Sequence, residues 1–149
     1  ADLADGIGPA SALAQAGAVI SLGSDQHVVL DPLLELRALE AGERLGSGER
    51  GRFSPDELIA ALTSGGAYSM HIRPGVGADD AQVADFVVVD TESVRTAGSV
   101  GEQAVLAATA ADATHVIVGG REVAAHGEHA QLGDVAQLYG AALREFELD

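Results

Sequence analysis

A short polar stretch, Leu22-Gly23-Ser24-Asp25-Gln26-His27-Val28, carries the side chains of this sequence that are best suited to chemistry. A carboxylate such as Asp25 can bind a divalent metal ion or accept a proton, and an imidazole such as His27 can do the same. Residues two apart point to the same side of an extended segment, so these two side chains could face one ligand. Ser24 lacks the Gly-x-Ser-x-Gly surroundings of a nucleophilic serine. The stretch therefore predicts a catalytic or metal-binding acid at Asp25.

The elements on either side would place this acid at the end of a strand. Residues 18–22 form an apolar run that is typical of a strand buried on both faces. Asp31-Pro32 then supplies an N-cap and a first-turn proline for a helix that we expect to reach about Leu45. In parallel α/β proteins, functional groups collect at the carboxyl ends of strands. The alternative is that Asp25 caps its own turn and that His27 contacts only solvent or backbone.

Composition and charge exclude several classes of protein. The 149 residues include 23 acidic and 8 basic side chains, which give a net charge of −15 that would repel a phosphate backbone. We therefore expect no nucleic-acid partner. No apolar run approaches the length of a membrane span, so we expect no membrane association and a cytoplasmic location. Because the chain has no cysteine, any metal would need His, Asp or Glu ligands.

The chain divides into two unlike parts. Residues 1–72 are predicted to form a helix over 6–16, the strand over 18–22, the helix after Asp31, and a helix that starts with the capping box Ser54-Pro55-Asp56-Glu57. Residues 73–149 are richer in strands and include a hairpin signal at Gly119-Gly120. The remaining predictions for this part are a strand over 86–89, a helix from Ser99 to about Ala111, and a final helix capped by Asp134 that runs to about Phe146.

Neither part can complete a fold with these elements alone. The single strong strand of the first part cannot satisfy its own backbone groups, and the second part has too few strands to close a sheet. The sequence therefore predicts the C-terminal piece of a larger α/β protein.

Several segments resemble the amidohydrolase superfamily, and within it the formimidoylglutamate deiminase family. The resemblance covers essentially the whole chain. In the first part it rests on three segments, Ala4-Asp5-Gly6-Ile7, the Asp25 stretch, and Glu35-Leu36-Arg37-Ala38-Leu39-Glu40. In the second part, residues 84–90 and the hairpin over 115–123 are similar to the usual tail of the superfamily.

This resemblance implies a fold and a site. Residues 1–72 would hold the last strand and helices of a metal-dependent (β/α)8 barrel, and residues 73–149 would form part of the small β-domain beside it. Asp25 would bind the active-site metal, zinc or another divalent ion, and relay a proton, while His27 and Ser24 would lie near the metal or the substrate. The implied reaction converts N-formimidoyl-L-glutamate to N-formyl-L-glutamate and ammonia in histidine degradation.

The departures from the family pattern matter as well. The remaining metal ligands and the substrate-binding residues of the family have no counterpart in the chain, so we expect an incomplete metal site and no activity without an upstream barrel segment. The family serine after the acid is Gln26 here. The alternatives are another deaminase or chlorohydrolase of the superfamily, acting on a guanine-like ring, or a non-catalytic interaction domain. Exposed barrel edges also predict self-association into a homo-oligomer.

Overall fold

The computed structural model describes residues 6–24, 29–72 and 84–146 as a mixture of helices and antiparallel strands. The helices are α1 (Ala10–Gln15), α2 (Pro32–Ser47), α3 (Pro55–Leu62), α4 (Ser64–Ser69), α5 (Ala104–Ala107) and α6 (Val135–Phe146). The strands are β1 (Phe86–Val89), β2 (Ala113–Val118), β3 (Arg121–Ala125) and β4 (Glu128–His129). Short 3₁₀ turns cover Gly101–Gln103 and Ala110–Asp112. No helix in these ranges is long and apolar enough to cross a membrane.

The predicted starts of α2 and α3 are confirmed, and each is capped by the side chain that the sequence predicted, Asp31 or Ser54. The Asp31 carboxylate accepts hydrogen bonds from the backbone N–H groups of Leu33 and Leu34, at 3.0 and 3.2 Å, and begins α2. At α3, the Ser54 hydroxyl accepts a hydrogen bond from the Glu57 N–H while the Glu57 carboxylate accepts one from the Ser54 N–H. The bonds that the Ser54 N–H and the Ser54 hydroxyl donate to the Glu57 carboxylate hold the pKa of Glu57 below its usual value. Local sequence therefore sets where both helices begin.

The strand predicted over residues 18–22 is not formed in the described structure. These residues have no regular secondary structure and belong to no sheet of the described residues, and Val19 is 57% exposed. Their assignment as the last strand of a barrel stays a prediction. A strand forms when a neighbour accepts its hydrogen bonds, and no strand of the described residues runs beside this segment. The segment is instead attached to helices, since the Leu22 N–H donates to the Ala61 carbonyl at 3.2 Å.

Two predicted helices are shorter than expected. The first begins at Ala10 rather than at Gly6, with Pro9 as its N-cap. A residue that precedes proline, here Gly8, avoids the helical region, so the helix cannot start earlier. The helix expected from Ser99 is reduced to α5, since Gly101 has a φ of +53° and interrupts the first turn. The N-terminus of α5 has no side-chain cap.

The hydrophobic core lies between the helices of the first part. Leu36, Phe53 and Leu58 are at most 5% exposed and form its centre. The side chains packed around them are Ala10, Ala14, Ile20, Leu22, Leu39, Leu62, Val105 and Leu106. The last two belong to α5, and the Arg37 guanidinium donates to the Ala108 carbonyl at 2.9 Å, just after that helix. The predicted boundary between residues 72 and 73 adjoins the range 73–83, which is outside the described residues, so it stays a prediction.

The strands form a four-stranded antiparallel sheet in the order β1-β2-β3-β4. The hairpin between β2 and β3 is confirmed, with Gly119 and Gly120 at φ values of +57° and +73°, which a two-residue type I′ turn requires. The Asp85 carboxylate fixes this turn by accepting a hydrogen bond from the Gly119 N–H at 2.6 Å. The turn chemistry of the sequence therefore accounts for the pairing of β2 with β3.

An ion pair between the exposed Arg95 and the buried Asp112 joins the sheet to the loop after β1. The Arg95 guanidinium donates to both oxygens of Asp112, at 2.8 and 2.7 Å, and the Thr109 N–H donates to the same carboxylate. Asp112 is 1% exposed. Hydrogen bonds from Arg95 hold the pKa of Asp112 well below its usual range, and the pair raises the pKa of Arg95.

This pair predicts a loss of stability in acid. Since the folded pKa of Asp112 lies below its unfolded pKa of about 4, the carboxylate stabilises the fold above that pH and stops doing so as the pH falls from about 5 toward 1. The free energy of unfolding of the wild-type protein should therefore approach that of Asp112→Asn as the pH is lowered. Urea unfolding between pH 7 and pH 2 measures the difference, with the exposed Asp56→Asn as a control. A difference that does not change with pH would contradict the prediction.

Candidate active site

The acid and the imidazole predicted to do chemistry, Asp25 and His27, lie outside the described residues together with Gln26 and Val28. Ser24, the third candidate, is the last described residue before them and is partly buried. The structure shows how the chain is held on each side of the stretch.

On the N-terminal side, residues 18–24 are fixed by the ends of α3 and α4. Ile20 and Leu22 pack at the edge of the core, and the Leu22 N–H donates to the Ala61 carbonyl in the last turn of α3. Gly65, in the first turn of α4, is buried directly against the Ile20 carbonyl oxygen, where a Cβ atom would overlap it. Only glycine therefore fits at position 65 without displacing the segment that contains Ile20.

On the C-terminal side, the chain is fixed by the start of α2. Asp31 is the N-cap and is partly buried, while Leu30 just before it is 71% exposed. Leu33 and Leu36, in the first turns of this helix, are buried at 9% and 0% exposure. The stretch that carries Asp25 thus connects two segments that are each anchored to the same core.

The described residues do not form a metal site by themselves. No group of three or more His, Asp or Glu side chains in the described ranges is arranged to hold a metal ion. Carboxylate and imidazole are suitable zinc ligands, but the candidates of that kind, Asp25 and His27, lie outside these ranges. A metal ion would therefore need ligands from outside the described part of the chain.

The other histidines of the second part have structural partners. The rings of His115 and His126 meet edge to face with their centroids 4.9 Å apart. The Nδ1 atom of His129 accepts hydrogen bonds from the N–H groups of Gln131 and Leu132, each at 3.2 Å, and so closes the turn after β4. Each of the three residues therefore has a contact partner within the second part of the chain.

Sequence reasoning missed a buried carboxylate on α2, Glu40, which is 3% exposed. It accepts hydrogen bonds from the Arg44 guanidinium and from the N–H groups of Gly51 and Phe53, at 2.8, 2.9 and 2.9 Å. Burial raises the pKa of Glu40, but the hydrogen bonds from Arg44, Phe53 and Gly51 outweigh it and leave the pKa below its usual value. The only signal in the sequence was the i, i+4 spacing of Glu40 and Arg44.

Glu43 lies one turn later on α2, and its buried carboxylate binds groups of α1. Its carboxylate accepts hydrogen bonds from the Ser11 hydroxyl and the Ser11 N–H, at 2.6 and 2.9 Å. These bonds lower the pKa of Glu43. Both carboxylates are engaged with backbone or side chains of their own surroundings, so they hold loops and helices together rather than offering a site.

Comparison with known proteins supplies the context that the described residues lack. No protein-family model matches the chain. It is 33% identical over 141 residues to a formimidoylglutamate deiminase of Pseudomonas aeruginosa, covering 87% of this chain and 31% of that protein. It is also 34% identical over 94 residues to a 5-methylthioadenosine/S-adenosylhomocysteine deaminase of Haloquadratum walsbyi, covering 61% of this chain and 21% of that protein.

Solved structures agree with these relatives. An amidohydrolase from Brucella melitensis superposes on 97% of this chain and 34% of its own, with a TM-score of 0.79 and 28% identity. A triazine hydrolase variant superposes with a TM-score of 0.74 over 95% of this chain, and at 20% identity it shows the fold alone. The chain spans 31% and 21% of the length of the two curated relatives above.

Proposed function

This chain belongs to the amidohydrolase superfamily, and we propose that it is the C-terminal part of a longer hydrolase that releases ammonia from an amidine or amine substrate. The observation that carries the proposal is the 33% identity to a formimidoylglutamate deiminase across 87% of this chain. The structural neighbour from the same superfamily supports it, since it superposes on 97% of the chain.

The first candidate substrate is N-formimidoyl-L-glutamate. In this reaction water adds to the formimino carbon, and the bond from that carbon to the terminal nitrogen breaks, so that N-formyl-L-glutamate and ammonia are formed. We assign Asp25 the proton transfer, in which its carboxylate accepts a proton from the attacking water and gives it to the departing nitrogen. His27 and Ser24 are assigned to the surroundings of the substrate.

The same carboxylate is proposed as a ligand of a divalent metal ion, zinc or another. The described residues supply no further ligand set. The remaining ligands would therefore come from the part of the protein that these 149 residues do not include. For the same reason we propose that this chain alone is inactive and depends on the missing barrel segment.

The second candidate is deamination of a purine-like ring. Two relatives named 5-methylthioadenosine/S-adenosylhomocysteine deaminase match at 34% and 29% identity, values close to that of the formimidoylglutamate deiminase. The chemistry at the carbon is similar, because water replaces an amino group on a carbon that is doubly bonded to nitrogen. What separates the two candidates is the recognition of two carboxylates in one substrate and of an aromatic ring in the other.

A substrate panel with the full-length gene product tests both candidates. Purified enzyme loaded with zinc is assayed for ammonia release from N-formimidoyl-L-glutamate, 5′-methylthioadenosine, S-adenosylhomocysteine and guanine. We expect release from N-formimidoyl-L-glutamate with kcat/KM at least about 10⁴ M⁻¹s⁻¹, within the usual range of natural substrates. Turnover of a purine substrate alone would favour the second candidate. Failure with every substrate would overturn both candidates and favour another amidine or ring deaminase of the same superfamily.

A further inference from the structure

One side of the last helix, α6, is apolar and faces solvent. The residues on this side are spaced three or four apart, as on one face of a helix. They are Val135, Leu138, Tyr139, Ala142, Leu143 and Phe146, and together they are called the α6 stripe below. The large members are between 44% and 83% exposed, and nothing in the described part of the chain buries them.

The helix that carries the stripe has a well-formed beginning. The Asp134 carboxylate accepts a hydrogen bond from the Gln137 N–H at 3.0 Å, which confirms the cap predicted from sequence. An amphipathic helix of this kind is a common element of docking, in which its apolar face lies in a hydrophobic groove. Continuous exposed apolar surface on a protein usually marks such a contact.

We propose that the α6 stripe docks into an apolar groove on the part of the same polypeptide that lies outside these 149 residues. The lengths of the relatives support this choice, since the chain spans only 31% of one and 34% of another. The proposal rests on the proposed function only in taking the chain as part of a longer protein. It does not depend on the substrate.

A second copy of the chain is a less suitable partner for the α6 stripe than a groove on the same polypeptide. The helix has 12 residues, and its apolar side is a strip about 18 Å long and 10 Å wide. Two such strips bury far less than the roughly 1,200 Å² of a stable dimer. The net charge of −15 on each chain opposes their association further. A groove on the same polypeptide avoids most of the entropic cost of association.

Photo-crosslinking in the full-length gene product identifies the occupant. Tyr139 is on the stripe and 65% exposed, so p-benzoylphenylalanine in its place would contact the groove directly. After irradiation of dilute protein, we expect a link within one polypeptide, from α6 to a residue outside this 149-residue region. A link between two copies, or no link beyond the background given by the same probe at Gln137, would overturn the proposal.

Hydrogen exchange provides an independent measurement with a matched pair of variants. Leu138→Glu with Leu143→Glu places two charges on the stripe, whereas Gln137→Glu with Ala141→Glu places the same two charges on the opposite side of α6. In the full-length protein we expect the α6 amides to be protected, and to exchange about a hundredfold faster in the stripe variant only. Wild-type α6 amides that exchange as fast as a free helix would contradict the proposal, and so would equal effects of the two variants.

Discussion

Replacing Asp25 with asparagine is expected to abolish ammonia release by the full-length gene product, with kcat reduced at least about 10³-fold. Asparagine has nearly the same shape as aspartate but cannot accept a proton or balance the charge of a divalent metal. If Asp25 carries out both functions, its loss removes the base and one metal ligand together. Steady-state ammonia release from N-formimidoyl-L-glutamate measures the first function, and the metal bound per protein, by elemental analysis, measures the second.

The control for this variant is Asp56→Asn, which removes an equal charge from an exposed position in the first turn of α3. Its kcat and metal content should equal those of the wild type. An Asp25→Asn enzyme that keeps most of its kcat would remove Asp25 from the proposed mechanism and would favour the alternative that it caps its own turn. If kcat falls while the metal content does not, the proton transfer stands and the ligand assignment fails.

The elements predicted correctly are those whose signals are local. Asp31 and Ser54 each bond to backbone groups within three residues. The starts of α2 and α3 can therefore be deduced from a short stretch of sequence. Gly119 and Gly120 have the positive φ values that their turn requires, which fixes the hairpin in the same way. Asp134 likewise accepts a hydrogen bond from the backbone N–H of Gln137 and so sets the start of α6. In each case the energy that selects the structure comes from neighbours in the chain.

The features that the sequence did not reveal depend on partners distant in sequence. An apolar run such as residues 18–22 becomes a strand only beside another strand, and the described residues supply none there. The packing of α5 on the core of the first part joins residues about 70 positions apart, as the bond from Arg37 to the Ala108 carbonyl shows. The buried acid Glu40 likewise depends on the N–H of Phe53, 13 residues away. Periodicity carries no information about such pairs.

The candidate site was predicted from residue types and from a resemblance. The structure adds how the segments on either side of it are held. The sequence alone left Asp25 as either a functional acid or a turn cap. The comparisons establish the superfamily, while the position of the Asp25 side chain lies outside the described residues. What the structure contributes is that the segments before and after it are attached to one core, through Leu22 and through Asp31.

That attachment predicts a large effect for one small substitution, Gly65→Ala. A Cβ atom at this position would overlap the Ile20 carbonyl oxygen, and it would lie 3.2 Å from the Ala60 carbonyl oxygen. Both are backbone atoms, which cannot move without displacing residues 18–24 or the end of α3. We expect the free energy of unfolding of the full-length protein to fall by about 1–3 kcal/mol. We also expect kcat/KM to fall at least about tenfold, since a small displacement of the Asp25 stretch misplaces its carboxylate.

The neighbouring glycine gives a matched control in the same helix. A Cβ atom at Gly66 would have nothing within 4 Å, so Gly66→Ala should leave activity unchanged and stabilise α4. The gain should be about 0.5–1 kcal/mol, because alanine loses less backbone entropy than glycine in a helix. Urea unfolding and ammonia release of the two variants, measured side by side, separate close packing from a general effect of alanine in α4. If Gly65→Ala behaved like Gly66→Ala, the contact with Ile20 would not be what holds the segment before Asp25 in place.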